Sequence, residues 1–113
     1  MANKLRMYIL IKDTVPVDFS PLVAAHASLA GYLHFQDDPD TMVWASSVFH
    51  KVVCSVNEKE FQNAKLLDGR IVTTASELNG DEVAIAFKPR LEWPKPFKFY
   101  KLWKSQNVVG VKS

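Results

Sequence analysis

Three groups of side chains in this chain have the chemistry for acid–base or nucleophilic work. They are His26, inside the run SPLVAAHASLAGY at Ser20 to Tyr32; Asp13, at the end of an apolar run; and Thr73, Thr74, Ser76 and Glu77. An imidazole takes and returns protons near neutral pH, a carboxylate orients it, and a hydroxyl can attack or steady a developing charge. Each also has a plainer role. A histidine among leucines more often satisfies a buried hydrogen bond, and Ser or Thr at a strand end more often forms a turn. Ser28 follows His26 closely, but no glycine elbow or oxyanion-hole signal accompanies it.

Metal chemistry has less to work with. His34 precedes Asp37 and Asp38 at a helix end, where the helix dipole alone favours a histidine, and His50 has no partner at ligand spacing. Cys54 is the only cysteine of the chain. It cannot form an internal disulfide, and no Cys/His cluster has zinc spacing, so a reducing, cytoplasmic setting is expected with no metal or organic cofactor. The apolar run near the amino terminus is short and charged, which fits neither a signal nor a membrane segment.

A third kind of chemistry lies at the end of the chain. Residues 1–89 hold eight Lys/Arg against eleven Asp/Glu, whereas residues 90–113 hold six against one. In that tail Lys95, Lys98 and Lys101 alternate with aromatics that include Trp93 and Trp103. Aromatics stack on unpaired bases while lysines neutralise phosphates, a composition suited to tRNA or single-stranded RNA. The same residues also suit a strand that covers a small core, or a homodimer interface whose edge is guarded by lysine.

The elements that position these groups follow from periodicity. With 113 residues, one α/β domain spanning 1–113 is expected, with 91–113 as a basic aromatic tail or final strand. Leu5, Met7, Ile9 and Ile11 alternate with Arg6, Tyr8, Leu10 and Lys12, which predicts an interior strand apolar on both faces. Ser20 as cap and Pro21 in the first turn start a helix that runs to about Phe35. Its narrow stripe of Leu22, His26, Leu29 and Leu33 is expected to face the core, flanked by Ala24, Ala27, Ser28 and Gly31.

Asp37 to Asp40 end that helix, Met42 to Ser47 form a short helical turn, and Val48 to Val56 form a second strand parallel to the first. Asn57 with Glu60 caps a second helix, which Gly69 stops. Arg70 to Thr74 and Glu82 to Phe87 are two further strands, joined antiparallel through Asn79–Gly80. Pro94 and Pro96 forbid a helix at the start of the tail, and Phe97 to Tyr100 alternate like a strand. The whole is a mixed four- to five-stranded sheet with helices on both faces.

This order, the segment VAAHASLAGY at Val23 to Tyr32, and Trp44 followed by Lys51–Val52–Val53 resemble the second class of peptidyl-tRNA hydrolases. Asp13, His26, Tyr32, Trp44 and Lys51 to Val53 carry the match, and the layout extends over about residues 4–88. The resemblance implies the fold of that family and hydrolysis of the ester that joins a peptide to tRNA. It implies a site built from His26, Asp13 and Thr74, with Thr73 or Ser76 nearby.

Two segments depart from the family pattern. The loop after the first strand, rich in Lys and Gly in the family, here reads Thr14–Val15–Pro16–Val17–Asp18–Phe19 and lacks the lysine. The family's DAGRTQ-like run falls at Thr73 to Leu78, where only the alanine stands in place. Lys12 is the nearest substitute for the missing cation, with Lys88 a second. The alternative reading is a non-catalytic homodimeric, RNA-binding or protein-binding module that kept the fold.

Overall fold

The computed structural model describes residues 4–104. The tail beyond Lys104 lies outside the described residues. Five strands, β1 (Met7–Lys12), β2 (Lys51–Val56), β3 (Arg70–Ala75), β4 (Asp81–Phe87) and β5 (Lys101–Leu102), form one sheet in the order β3-β4-β1-β2-β5. β1 and β2 run parallel, with Met7 opposite Lys51 and Lys12 opposite Val56. The β1–β4, β3–β4 and β2–β5 pairs are antiparallel.

The expected interior strand is therefore the middle one. Its alternate residues feed two cores. Met7, Ile9 and Ile11 pack with Val23, Ala27, Trp44, Ala84 and Ala86, while Leu10 packs with Cys54, Val56, Phe61, Ile85 and Phe87. α1 (Ser20–Phe35) and α2 (Pro39–Ala45) cover the first face, and α3 (Glu58–Ala64) covers the second. No helix among the described residues is long and apolar enough to cross a membrane.

α1 forms where expected, but its faces are reversed. Val23, Ala27 and Gly31 are buried, whereas Leu22, Leu29 and Leu33 are 54%, 58% and 52% exposed, and His26 is exposed with them. Both stripes of this helix are apolar, so polarity does not choose between them; size does. A Cβ on Gly31 would stand 3.0 Å from Ala86 Cβ and 3.1 Å from Met7 Cε. The small stripe lets the helix backbone lie directly on the sheet, where leucines would hold it away. Ser20 is also not the cap: it is the first helical residue, buried, with its hydroxyl donating to the Pro16 carbonyl at 3.3 Å.

α2 starts earlier than the sequence reading placed it, because the Asp38 carboxylate accepts from the amides of Asp40 (2.9 Å) and Thr41 (3.2 Å) and Pro39 suits the first helical position. Trp44 is buried and its indole Nε1 donates to the His50 carbonyl at 2.7 Å. Phe49 takes a φ of 36°, and the following strand begins at Lys51 rather than Val48. Tied to Trp44, the segment from Ser46 to His50 is held as a loop.

The capping box that opens α3 is present, with Glu60 N donating to Asn57 Oδ1 at 2.8 Å and Asn57 N to Glu60 Oε1 at 2.9 Å. Asn79 and Gly80 both adopt left-handed backbone at φ 63° and 74°, as the antiparallel connection requires.

The tail does not continue as a strand through Phe97 to Tyr100. Lys95–Lys98 is instead one tight helical turn, led in by Pro94. Trp93, Phe97 and Tyr100 close over Tyr8 and Phe87, with ring centroids 4.7 Å apart for Tyr8–Trp93, 5.0 Å for Phe87–Phe97 and 5.2 Å for Phe97–Tyr100. The aromatic spacing that reads as alternation is thus the spacing of a covering cluster. Among the described residues of the tail, Lys101 and Leu102 pair as a strand, opposite Ser55 and Cys54.

Candidate functional site

β1, β2 and β3 all end on one side of the sheet, since β3 and β1 both run antiparallel to β4. The segment from Asp13 to Phe19 crosses this edge between β1 and α1. Its residues help to line two depressions, Phe19 one of them and Val15 and Val17 the other.

The first is a cleft of about 200 Å³ between the amino-terminal half of α1 and the end of β3. His26, Thr73, Thr74, Ser76 and Glu77 line it together with apolar walls from Phe19, Leu22, Val23, Leu78 and Val83. The exposed face of α1 brings His26 here. A register slip between Thr73 and Thr74 pairs Thr73 with Ala84 and Thr74 with Glu82, so Val83 is the extra residue. As a result Val83 and Ala84 both enter the α1-side core, and the strand end is redirected toward the helix.

Thr73 is buried, with its hydroxyl donating to the Ala84 carbonyl at 3.5 Å. Thr74, Ser76 and Glu77 are exposed, and the Ser76 hydroxyl reaches Glu77 Oε1 at 3.5 Å. An imidazole, hydroxyls and a carboxylate therefore share one open cleft.

Asp13 does not line that cleft. It lies in the second depression, a groove of about 660 Å³ with Lys12, Val15, Val17, Ser55 and residues Lys101 to Lys104. Its amide donates to the Val56 carbonyl at 2.8 Å, which extends the β1–β2 ladder by one residue and fixes the direction of the chain. The trio of His26, Asp13 and Thr74 is thus divided: two residues share the cleft and the third lines the groove. Neither substitute lysine reaches the cleft lining. Lys12 pairs with Glu58 at 3.1 Å and lies 4.6 Å over the Phe61 ring, and Lys88 pairs with Asp38 at 3.0 Å.

Trp44, Lys51 and Val53, which help to carry the sequence resemblance, have structural work around the start of β2. Lys51 donates to the Phe49 carbonyl at 2.9 Å and lies over the rings of Trp44 and Phe49 at 5.7 and 5.0 Å. Tyr32, Trp44, Phe49, Lys51 and Val53 line a third, apolar groove of about 620 Å³ beside Leu29.

Of the other sequence candidates, His34 is exposed in the last turn of α1, its ring edge-on to Phe35 at 4.6 Å. Among the described residues no group of three or more His, Cys, Asp or Glu is placed to hold a metal ion. Cys54 is buried, and burial, with the charge of Glu60, pushes its thiol up to about 11. That is a thiol without nucleophilic use near neutral pH.

In the tail, Trp93 is half-buried, with its indole N–H donating to the Arg90 carbonyl at 3.1 Å. Lys95 and Lys98 are exposed on the tight turn, whereas Lys101 and Trp103 line the groove beside Asp13. Sequence reading did not single out Ser55, which lines the same groove as Lys104. The available signal was the parallel pairing of β1 with β2, which puts the ends of the two strands side by side.

No protein-family model matches the chain, and no curated protein is significantly similar to it in sequence.

Proposed function

We propose that this chain is a divergent protein of the second-class peptidyl-tRNA hydrolase type that hydrolyses the ester between a peptide and tRNA, with the His26 cleft as its site. The observation that carries the reading is the shared cleft of His26, Thr74, Ser76 and Glu77 at the edge where β1 and β3 end. His26 acts there as general base on a water molecule, whose oxygen attacks the ester carbonyl carbon. The hydroxyls of Thr74 and Ser76 donate to the oxyanion that forms, the bond to the ribose oxygen breaks, and the proton held on His26 passes to that oxygen.

The test is release of peptide from a peptidyl-tRNA by the purified protein, beside His26→Ala and Thr74→Ala. Turnover by the wild type, reduced about 10²- to 10⁴-fold in His26→Ala, is the expected result. A folded wild type with no turnover overturns the reading.

One observation favours the second reading, a non-catalytic module that binds RNA or a second copy of itself. The residues lining the cleft include no lysine or arginine to stabilise an oxyanion or a phosphate. On that reading the folded wild type binds without turnover, and replacing His26 changes nothing but the local surface.

A further inference from the structure

We infer that the groove beside Asp13 is a binding site for the backbone of a single-stranded RNA end, built from Lys101, Lys104 and Trp103. The inference rests on the tRNA reading above, but the groove lies partly outside the resemblance, since Lys101 to Lys104 follow the segment that carries it.

Three observations point to this ligand. The groove opens at the adjacent carboxyl ends of the parallel pair β1 and β2, the position in an α/β sheet where the chain leaves in two directions and leaves a crevice. Its charges are unequal: Lys12 is neutralised by Glu58 at 3.1 Å, and Lys101 and Lys104 stand against Asp13. The ion pairs among the described residues are Lys12–Glu58, Lys65–Glu82 and Lys88–Asp38, and Lys101 and Lys104 take part in none of them.

The third is the Trp103 side chain in the groove wall, on a backbone fixed by its own amide donating to the Val53 carbonyl at 2.9 Å. A planar ring beside ammonium groups suits an unstacked base with its phosphates, and a duplex does not expose a base face to it. The Asp13 carboxylate repels a phosphate placed next to it and accepts from a ribose hydroxyl or a base amine instead. Phosphates therefore sit toward Lys101 and Lys104. The Asp13 to Phe19 segment lends Asp13, Val15 and Val17 to the groove and Phe19 to the His26 cleft, so an RNA end held in the groove lies at the same sheet edge as the cleft.

The experiment is fluorescence anisotropy of a labelled 12-nucleotide single-stranded RNA with the full chain. The variants are Lys101→Ala/Lys104→Ala and, as the control for bulk charge, Lys95→Ala/Lys98→Ala. The first pair is expected to weaken binding at least tenfold and to lower the slope of log affinity against log salt by about 1.4, two phosphate contacts at about 0.7 each. The control pair is expected to stay within twofold of wild type.

Equal losses in both pairs, or equal affinity for a blunt RNA duplex, overturn the inference. The two proposals fail separately: RNA binding without peptidyl-tRNA turnover removes the hydrolase reading alone. Turnover with an unchanged KM in Lys101→Ala/Lys104→Ala removes the groove alone.

Discussion

Gly31 of α1 rests on Ala86 of β4 with no room for a methyl group: a Cβ there would lie 3.0 Å from the Ala86 Cβ. The contact decides which face of the helix is inside. Gly31→Val is expected to destabilise the fold by about 2–3 kcal/mol through overpacking, and Gly31→Ala by less, since alanine regains about 1 kcal/mol of helix propensity. Leu29→Gln, on the exposed face, should change stability by only about 0.5 kcal/mol. Urea denaturation of the three variants checks this; a larger loss for Leu29→Gln than for Gly31→Val would mean that the leucine stripe is the buried one.

The same helix shows what sequence can and cannot fix. Its existence and start were legible because Pro21 and a long apolar segment allow little else. Its orientation was not, because leucines and small residues form two apolar stripes, and the choice depends on how closely a distant strand, β4, lets the backbone approach. The chain order of β1 to β4, the parallel β1–β2 pair and the antiparallel β3–β4 pair were legible from the connections and from Asn79–Gly80, whereas the place of β4 between β3 and β1 was not. The tail was not, since Trp93 and Phe97 pack on Tyr8, which is far away in the chain, as well as on Phe87.

The candidate site divided for a similar reason. Thr74 and His26 meet because both lie at the same sheet edge and the slip at Val83 turns the strand end toward the helix. Asp13, only thirteen residues from His26, lies on the other side of its own loop.

Asp38 links α2 to β4 and makes stability depend on pH. Burial alone would raise its carboxyl. Hydrogen bonds from the Lys88 ammonium at 3.0 Å and from the amides of Thr41 and Asp40, with the charge of Lys88, outweigh that and hold it below its ordinary value. A depressed carboxyl contributes stability above the unfolded pKa, near 3.8, and loses it as pH falls through the folded value. Asp38→Ala is therefore expected to cost about 1–2 kcal/mol at pH 7, mostly as a lost helix cap, and less in acid near pH 2. Chemical denaturation at the two pH values measures the difference, and an equal cost at both would exclude the linkage.

Cys54 provides a test of the second core. The folded thiol is pushed from 9.0 up to about 11 by burial and by Glu60. At pH 7.5 the native protein should react with a thiol reagent only as fast as it opens, and rapidly once denatured. Because the raised value favours the neutral thiol in the fold, its contribution is complete below pH 9 and is lost as pH rises from 9 to 11. Immediate labelling of the native protein would contradict the burial.

Phe97 tests whether the tail belongs to the body of the protein. It is buried, with its ring centroid 4.8 Å from that of Trp93 and 5.0 Å from those of Tyr8 and Phe87, so it closes the face opposite α1. Phe97→Ala removes a ring from a filled space and is expected to cost about 3–5 kcal/mol. A chain ending at Arg90 also loses Trp93, Tyr100 and the β5 pairing, and exposes Tyr8 and Phe87 to solvent. It should aggregate or unfold at room temperature, since the loss is a large part of the roughly 5–15 kcal/mol that holds a domain of this size. Circular dichroism melts and light scattering of the two variants decide the matter. A soluble truncation with the melting temperature of the full chain would make the tail an appended arm.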